Sequence, residues 1–169
     1  MSTLAPFTLI IPAHNEEAVI ARCLKAAVRG APDPDALEIV VAANGCVDNT
    51  ASIARQTLPH AKVLEIDRGS KTGAINAANE VASYFPRIVL DADVECEFAA
   101  LAALAAELRK PGVMTAAPAI RLELSHGNWF IRAYYAAWMR QPFARSGKGG
   151  AGCYGLSQAA IQRINQCRQ

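Results

Sequence analysis

Asp91 and Asp93 stand two residues apart, directly after the short apolar run Arg87 to Leu90. In an extended chain residues i and i+2 point to the same side, so both carboxylates can face one ion. Hard oxygen ligands suit Mg2+ or Mn2+, ions that keep positions open for diphosphate oxygens. An ion held there would offset charge on a leaving diphosphate. The two aspartates have a plainer use as well, which is to cap the helix that follows.

Three more polar clusters could do chemistry. Lys71 follows Arg68-Gly69-Ser70 at the start of a predicted helix, where a cation and backbone N–H groups suit a phosphate; it also reads as a solvated lysine at a helix start. Asn44-Gly45-Cys46-Val47-Asp48 offers an amide and a carboxylate on a turn that Gly45 makes permissive. Those groups could read the edge of a base, or form an Asx turn and cap a helix, and Asp48 suits both. His14-Asn15-Glu16 follows the first apolar run.

The elements that position these clusters are legible from periodicity. Phe7 to Pro12 (FTLIIP) is a nearly unbroken apolar run, as expected of a strand buried on both faces. Glu16 to Arg29 has helical spacing, with Val19, Ile20, Cys23, Leu24, Ala27 and Val28 on one side. Pro32 to Asp35 is a turn cluster. Leu37 to Ala43 predicts a second strand, Asp48 or Asn49 caps a helix through Leu58, and Lys62 to Ile66 predicts a third strand. Thr72 to Tyr84 predicts a helix, Arg87 to Leu90 a fourth strand and Phe98 to Lys110 a helix stopped by Pro111-Gly112. Val113 to Leu124 reads as extended, Asn128 to Arg140 as helical, and Ser157 to Gln166 as a short last helix.

Strands and helices that alternate with short connections imply a doubly wound α/β fold: a mostly parallel sheet with helices on both faces. Ligands of such sheets bind beyond the carboxyl ends of the strands. All four polar clusters fall at that edge. The 169 residues suffice for one domain, and a hydrophobic fraction of 52% with 19% charged residues describes an ordinary globular chain. A formal charge of +2 gives no argument for nucleic acid. The five cysteines, Cys23, Cys46, Cys96, Cys153 and Cys167, are odd in number and never spaced C-x-x-C, which fits free thiols in a reducing compartment. With no signal peptide and no run of about 20 apolar residues, a cytoplasmic location is expected, with the inner face of the membrane as a further setting.

Four segments, in order and spacing, resemble the family 2 glycosyltransferases: IIPAHNEE (Ile10 to Glu17), ANGCVDNT (Ala43 to Thr50), GSKTGAIN (Gly69 to Asn76) and LDADVE (Leu90 to Glu95). The resemblance runs from about Phe7 to Leu156. It implies a glycosyltransferase A-type fold and transfer of a sugar from a nucleotide-diphosphate donor, inverting and dependent on Mn2+ or Mg2+. It implies that Pro12, Ala13, Asn15 and Glu16 hold the nucleotide with help from Asp48 and Lys71, and the amide of Asn44 is expected beside them from its own chemistry. By the same resemblance Asp91 approaches the ribose or the metal, and Asp93 is the main metal ligand.

Two features depart from that family. Its usual second motif is D-D-G-S-x-D, whereas Ala43-Asn44 stands here in place of the aspartate pair, so the choice of nucleotide is open. Inverting members also use a later carboxylate as general base. Beyond Lys110 the only acidic residue here is Glu123, a weak substitute because it precedes the expected position. The segment Gly149 to Gly155 resembles the glycine-rich strand that normally precedes the base. The expectation is therefore one domain over 1–169, its donor-binding half complete and its acceptor and catalytic-base end truncated.

The alternative to an active transferase is a non-catalytic nucleotide-sugar-binding module. A nucleotidyltransferase would need a glycine-rich basic loop after the first strand, which Ala13 to Glu16 is not. Gly147-Lys148 lacks the rest of a phosphate-binding loop, and no G-x-G-x-x-G follows the first strand. The aromatic segment 128–143 (NWFIRAYYAAWMRQPF), with Arg132 and Arg140, reads first as a helix that covers the sheet with a bulky apolar face. It also suits peripheral membrane contact or a lipid-linked acceptor, beside the expected saccharide acceptor.

Overall fold

The computed structural model describes residues 5–32, 37–118, 128–138, 140 and 152–166. Glu123, Cys167, the glycines 147–150, most of the turn cluster at 32–35 and the ends of the 113–124 and 128–143 segments lie outside the described residues. Along the chain the elements are β1 (Phe7–Ala13), α1 (Ile20–Val28), β2 (Leu37–Asn44), α2 (Thr50–Thr57), β3 (Lys62–Ile66) and α3 (Lys71–Val81). They continue as β4 (Arg87–Leu90), α4 (Phe98–Leu108), β5 (Thr115–Ala116), α5 (Trp129–Trp138), β6 (Cys153–Leu156) and α6 (Gln158–Gln166).

Among the described residues six strands form one sheet in the order β3-β2-β1-β4-β6-β5. β1 pairs in parallel with both β2 and β4, and β2 in parallel with β3. The mostly parallel α/β expectation holds. β6 is the exception: it lies antiparallel between β4 and β5. Its four residues carry a glycine and no helical or long apolar pattern, so local periodicity does not reveal that it inserts there.

Strand alternation decides which helix each strand residue meets. Phe7, Leu9, Ile11 and Ala13 of β1, with Leu37, Ile39 and Val41 of β2, pack with the buried sides of α1, α2 and α4. Ile10, Val40, Ala42 and Val89 face the other way, onto Ala74 and Ala78 of α3. Because both faces are covered, β1 is buried along its whole length and β2 nearly so, whereas β3 at the sheet edge exposes Lys62 and Glu65. Each fully buried Leu or Ile there contributes about 1.5–3 kcal/mol.

Two helix boundaries moved for tertiary reasons. α1 begins at Ile20 rather than Glu16: residues 17–19 form a turn, after Asn15 with a φ of 55° and a Glu16 N–H that donates to Thr50 Oγ1 at 2.8 Å. α3 ends at Val81 rather than Tyr84, because the Ser83 N–H donates to Glu38 Oε2 at 2.8 Å and leaves the helix. At Ser83 a strand partner outcompetes the next helical hydrogen bond, whereas the Glu16 N–H, which has no acceptor within a helix that starts there, is taken by the first residue of α2.

Candidate functional site

The chain winds outward from β1 through β2 to β3, then returns to the other side of β1 with β4. A cleft opens beyond the strand ends at this switch point, as in other doubly wound sheets. It measures about 450 Å3 and takes its walls from four loops. β1 supplies Pro12, His14 and Glu16, β2 supplies Asn44, the loop into α3 supplies Gly69 to Lys71, and the loop after β4 supplies Asp91 to Asp93.

Asn44 holds three of these loops together. It is only 4% exposed, and both ends of its amide are engaged. Nδ2 donates to the Ala13 carbonyl at 2.8 Å, and Oδ1 accepts from the Ser70 N–H at 2.9 Å. Its own carbonyl lies 2.6 Å from His14 Nδ1. A carbonyl only accepts, so His14 carries its proton on Nδ1 and, when neutral, turns an accepting Nε2 outward along its other edge. Next to it Gly45 adopts a φ of 60° and donates its N–H to Ile66. A Cβ at Gly45 would lie 2.7 Å from the Gly69 nitrogen, so the two loops touch backbone to backbone only because residue 45 has no side chain.

The loops after β1 and β2 are fastened side by side. Asn15 Oδ1 accepts from the Val47 N–H at 2.9 Å, and Asp48 Oδ2 accepts from the Glu17 N–H at 3.1 Å. Asp48 Oδ1 accepts from the N–H and hydroxyl of Thr50 at 3.0 and 2.5 Å. Desolvation works against the Asp48 carboxylate, but these hydrogen bonds outweigh it and hold the carboxyl below its ordinary range. Thr50 is fully buried and links Asp48 to the Glu16 N–H. Cys46 fits between Asn15 and Ala13, its sulfur 3.5 Å from the N–H of one and the carbonyl of the other.

Asp91 and Asp93 reach the cleft by a turn rather than by continued strand alternation. The Val94 N–H donates to the Asp91 carbonyl at 3.0 Å, and the small Ala92 between the aspartates is buried at 3% exposure. The Asp91 N–H donates to the Gly152 carbonyl at 2.7 Å, so the entry to β6 anchors this turn. Gly152 adopts a φ of 78°, and a Cβ there would sit 2.4 Å from Val94 Cγ2. Asp91 Oδ1 lies 2.6 Å from Lys71 Nζ in a half-exposed ion pair. Lys71 is the first residue of α3, behind Ser70, whose hydroxyl caps the helix by accepting from the Gly73 N–H at 3.2 Å.

The cleft concentrates negative charge. Burial, together with Asp93, Asp48 and Asp91, raises the Glu16 carboxyl above its ordinary value. Among the described residues no group of three or more His, Cys, Asp or Glu side chains is arranged to hold a metal. Asp91 and Asp93 both line the cleft, and as a pair they would leave other positions of a divalent ion to water and ligand oxygens. That is the usual donor set for Mg2+, which one or two carboxylates and substrate phosphates hold between them. The residues present fit such an ion.

A family model described as "Glycosyl transferase family 2" matches residues 8–163, nearly the whole chain. The chain belongs to glycosyl transferase family 2. No curated protein sequence matches it. Among solved structures it is similar to the mannosyltransferase PcManGT from Pyrobaculum calidifontis, in complex with GDP-Man and Mn2+. The TM-score is 0.71 at 21% identity, over 96% of this chain and 47% of that one. It is also similar to glucosyl-3-phosphoglycerate synthase from Mycobacterium tuberculosis, in complex with Mn2+, UDP and glucosyl-3-phosphoglycerate. There the TM-score is 0.66 at 19% identity, over 92% of this chain and 57% of that one. A third similar structure is TarS 1-349 from S. aureus, with a TM-score of 0.55 and 23% identity over 60% of this chain and 32% of that one. The chain thus spans about half the length of the first two, and the likeness carries the fold of this family.

Within this family domain, the cleft brings together six of the residues expected from sequence: Pro12, Glu16, Asn44, Lys71, Asp91 and Asp93. Ala13, Asn15 and Asp48 stand in the loop framework instead, as hydrogen-bond partners of Asn44, Val47, Thr50 and Glu17. Sequence reasoning passed over His14, Ser70 and Thr50. His14 lay inside a recognised motif, but its role depends on a carbonyl thirty residues away. The described helix of the aromatic segment does not cover the sheet: no residue of α5 is buried. No helix among the described residues is long and apolar enough to cross a membrane.

Proposed function

We propose that this chain is the donor-binding part of a metal-dependent, inverting glycosyltransferase that takes its sugar from a nucleoside diphosphate. The observation that carries the reading is the meeting of Lys71, Asp91 and Asp93 beside Glu16, in one cleft at the β1–β4 switch point. A nucleoside diphosphate brings negative charge to that cleft, and among the described residues that line it Lys71, at the start of α3, is the lysine or arginine that stands there to receive it.

Pro12 and Glu16 form the wall against the nucleotide, and Lys71 turns from Asp91 toward the diphosphate. Asp93, with Asp91, holds Mn2+ or Mg2+, whose bound charge eases departure of the diphosphate. Ala13, Asn15, Asn44 and Asp48 serve the donor by fixing the loops around it. Complexes of similar structures with GDP-Man or UDP and Mn2+ support the donor class and the ion. The acceptor is a saccharide or a lipid-linked sugar, received on the open side of the cleft, and the general base comes from outside the donor half.

A second reading keeps binding without transfer. Beyond Lys110 the sequence holds a single carboxylate, Glu123, and proton removal from an acceptor hydroxyl needs a base. Calorimetry with UDP-, GDP- and dTDP-sugars, with and without Mn2+, tests both readings. Metal-dependent binding of one nucleotide class is expected; no binding to any would overturn the donor site. Binding with no release of nucleoside diphosphate, whatever acceptor sugar is supplied, would favour the binding module.

A further inference from the structure

Helix α5 leaves an aromatic surface uncovered. Trp129, Phe130 and Tyr134 are 67%, 64% and 65% exposed, and Ile131 is 44% exposed. The Trp129 ring stacks on Phe130 with centroids 3.7 Å apart, and Tyr135 meets Tyr134 and Trp138 edge-on. A contiguous apolar patch of this kind marks an interaction site. Arg132 within the helix and Arg140 just beyond it are both exposed, and α5 carries no acidic residue.

Charge along the sequence identifies the occupant. Residues 109–169 hold nine Lys and Arg against the single carboxylate of Glu123, whereas residues 1–108 hold eight against fourteen. The aromatic helix therefore sits in the basic part of the chain, and the acidic part carries the cleft. A second copy of the same basic segment would be repelled, while an anionic surface would be attracted. Aromatic rings with a polar edge, interleaved with arginine, suit the headgroup level of a bilayer, where one side of the ring meets lipid and the other water. A helix of ten residues is too short to span a membrane and long enough to lie along its surface.

We propose that α5 docks this chain on the surface of an anionic phospholipid bilayer, with Trp129, Phe130 and Tyr134 entering the headgroup region and Arg132 and Arg140 facing lipid phosphates. The inference goes beyond the donor site and does not depend on it.

The test is sedimentation of the chain with vesicles of phosphatidylcholine alone, and with vesicles containing about one-third phosphatidylglycerol. Retention on the anionic vesicles only is expected, weakening as salt is added. A Trp138→Phe variant leaves Trp129 as the reporter, and its fluorescence should shift to the blue on binding. Arg132→Glu with Arg140→Glu should lower vesicle affinity by more than about tenfold. Trp129→Ser with Phe130→Ser should abolish the bound state while far-ultraviolet circular dichroism stays unchanged. Absence of retention, equal retention on neutral vesicles, or a dimer that these same substitutions dissolve would each overturn the proposal. Nucleotide calorimetry on the same variants separates this result from that of the donor site, since no α5 residue lines the cleft.

Discussion

Lys71 Nζ lies 2.6 Å from Asp91 Oδ1, joining the first residue of α3 to the loop that leaves β4. The pair spans the mouth of the cleft, and the lysine is more exposed than the aspartate, 59% against 30%. An exposed pair of this kind adds at most about 1 kcal/mol to stability. Its value lies in what the lysine can reach when a diphosphate replaces the aspartate as its partner.

Lys71→Met should accordingly separate binding from folding. Donor affinity is expected to fall by about ten- to a hundredfold, the worth of a charged hydrogen bond to phosphate. The denaturation midpoint should hardly move. A variant that binds nucleoside diphosphate sugars as tightly as the parent chain would remove Lys71 from the site.

Asp93→Ala addresses the ion. Asp93 is exposed, so its loss leaves the core intact. Titration of the variant with donor should give the same affinity with and without Mn2+, at the level of the parent chain in chelator. Persistent Mn2+ dependence would transfer the metal to other ligands.

Asn44→Asp restores a carboxylate where the related motif usually carries one, yet it should weaken this chain. The new oxygen would face the Ala13 carbonyl that Nδ2 now reaches at 2.8 Å, with no proton between them. A buried acceptor left unpaired costs about 1–3 kcal/mol, readable by urea denaturation. Donor affinity should fall with it, because a carboxylate repelled by the Ala13 carbonyl moves the oxygen that holds the Ser70 N–H, now at 2.9 Å, and with it the loop before Lys71. Equal or greater stability would show that the amide is not the brace described.

Glu38 controls acid stability at the opposite end of the sheet. Its side chain is 9% exposed, and burial alone would raise its carboxyl. Hydrogen bonds from Lys62, Thr8 and Ser83 outweigh burial and hold it down to about 2, from an ordinary 4.5. A depressed carboxyl stabilises the fold above its unfolded value and loses that contribution as pH falls toward the folded one. Up to about 3 kcal/mol is thus present at neutral pH and lost between roughly pH 4.5 and 2. Glu38→Gln should be less stable than the parent at pH 7, and the gap should close on acidification through that window. A gap that does not change with pH would mean the loss is one of packing alone.

The sequence by itself determined the layered fold and the edge at which the site lies. Runs such as Phe7 to Pro12 and Leu37 to Ala43 are apolar on both alternating faces, so they must be covered on both sides, and parallel strands joined by crossover helices put every strand-end loop on one rim. It also singled out Lys71, Asp91 and Asp93, because charged residues at the end of a buried strand or the start of a helix are legible locally. Only the tertiary structure decided how the neighbouring polar residues are used. Asn44, Asp48 and Asn15 have the side chains of ligand-binding residues, yet they spend their hydrogen bonds on backbone groups of other residues, most of them 26 to 32 positions away. The same holds for the turn at Asp91 to Val94, anchored by Gly152, and for α5, whose apolar pattern predicts burial but finds no sheet to cover. Periodicity is a property of neighbours along the chain, whereas the partner of a polar atom is set by whichever loop the fold brings within 3 Å of it.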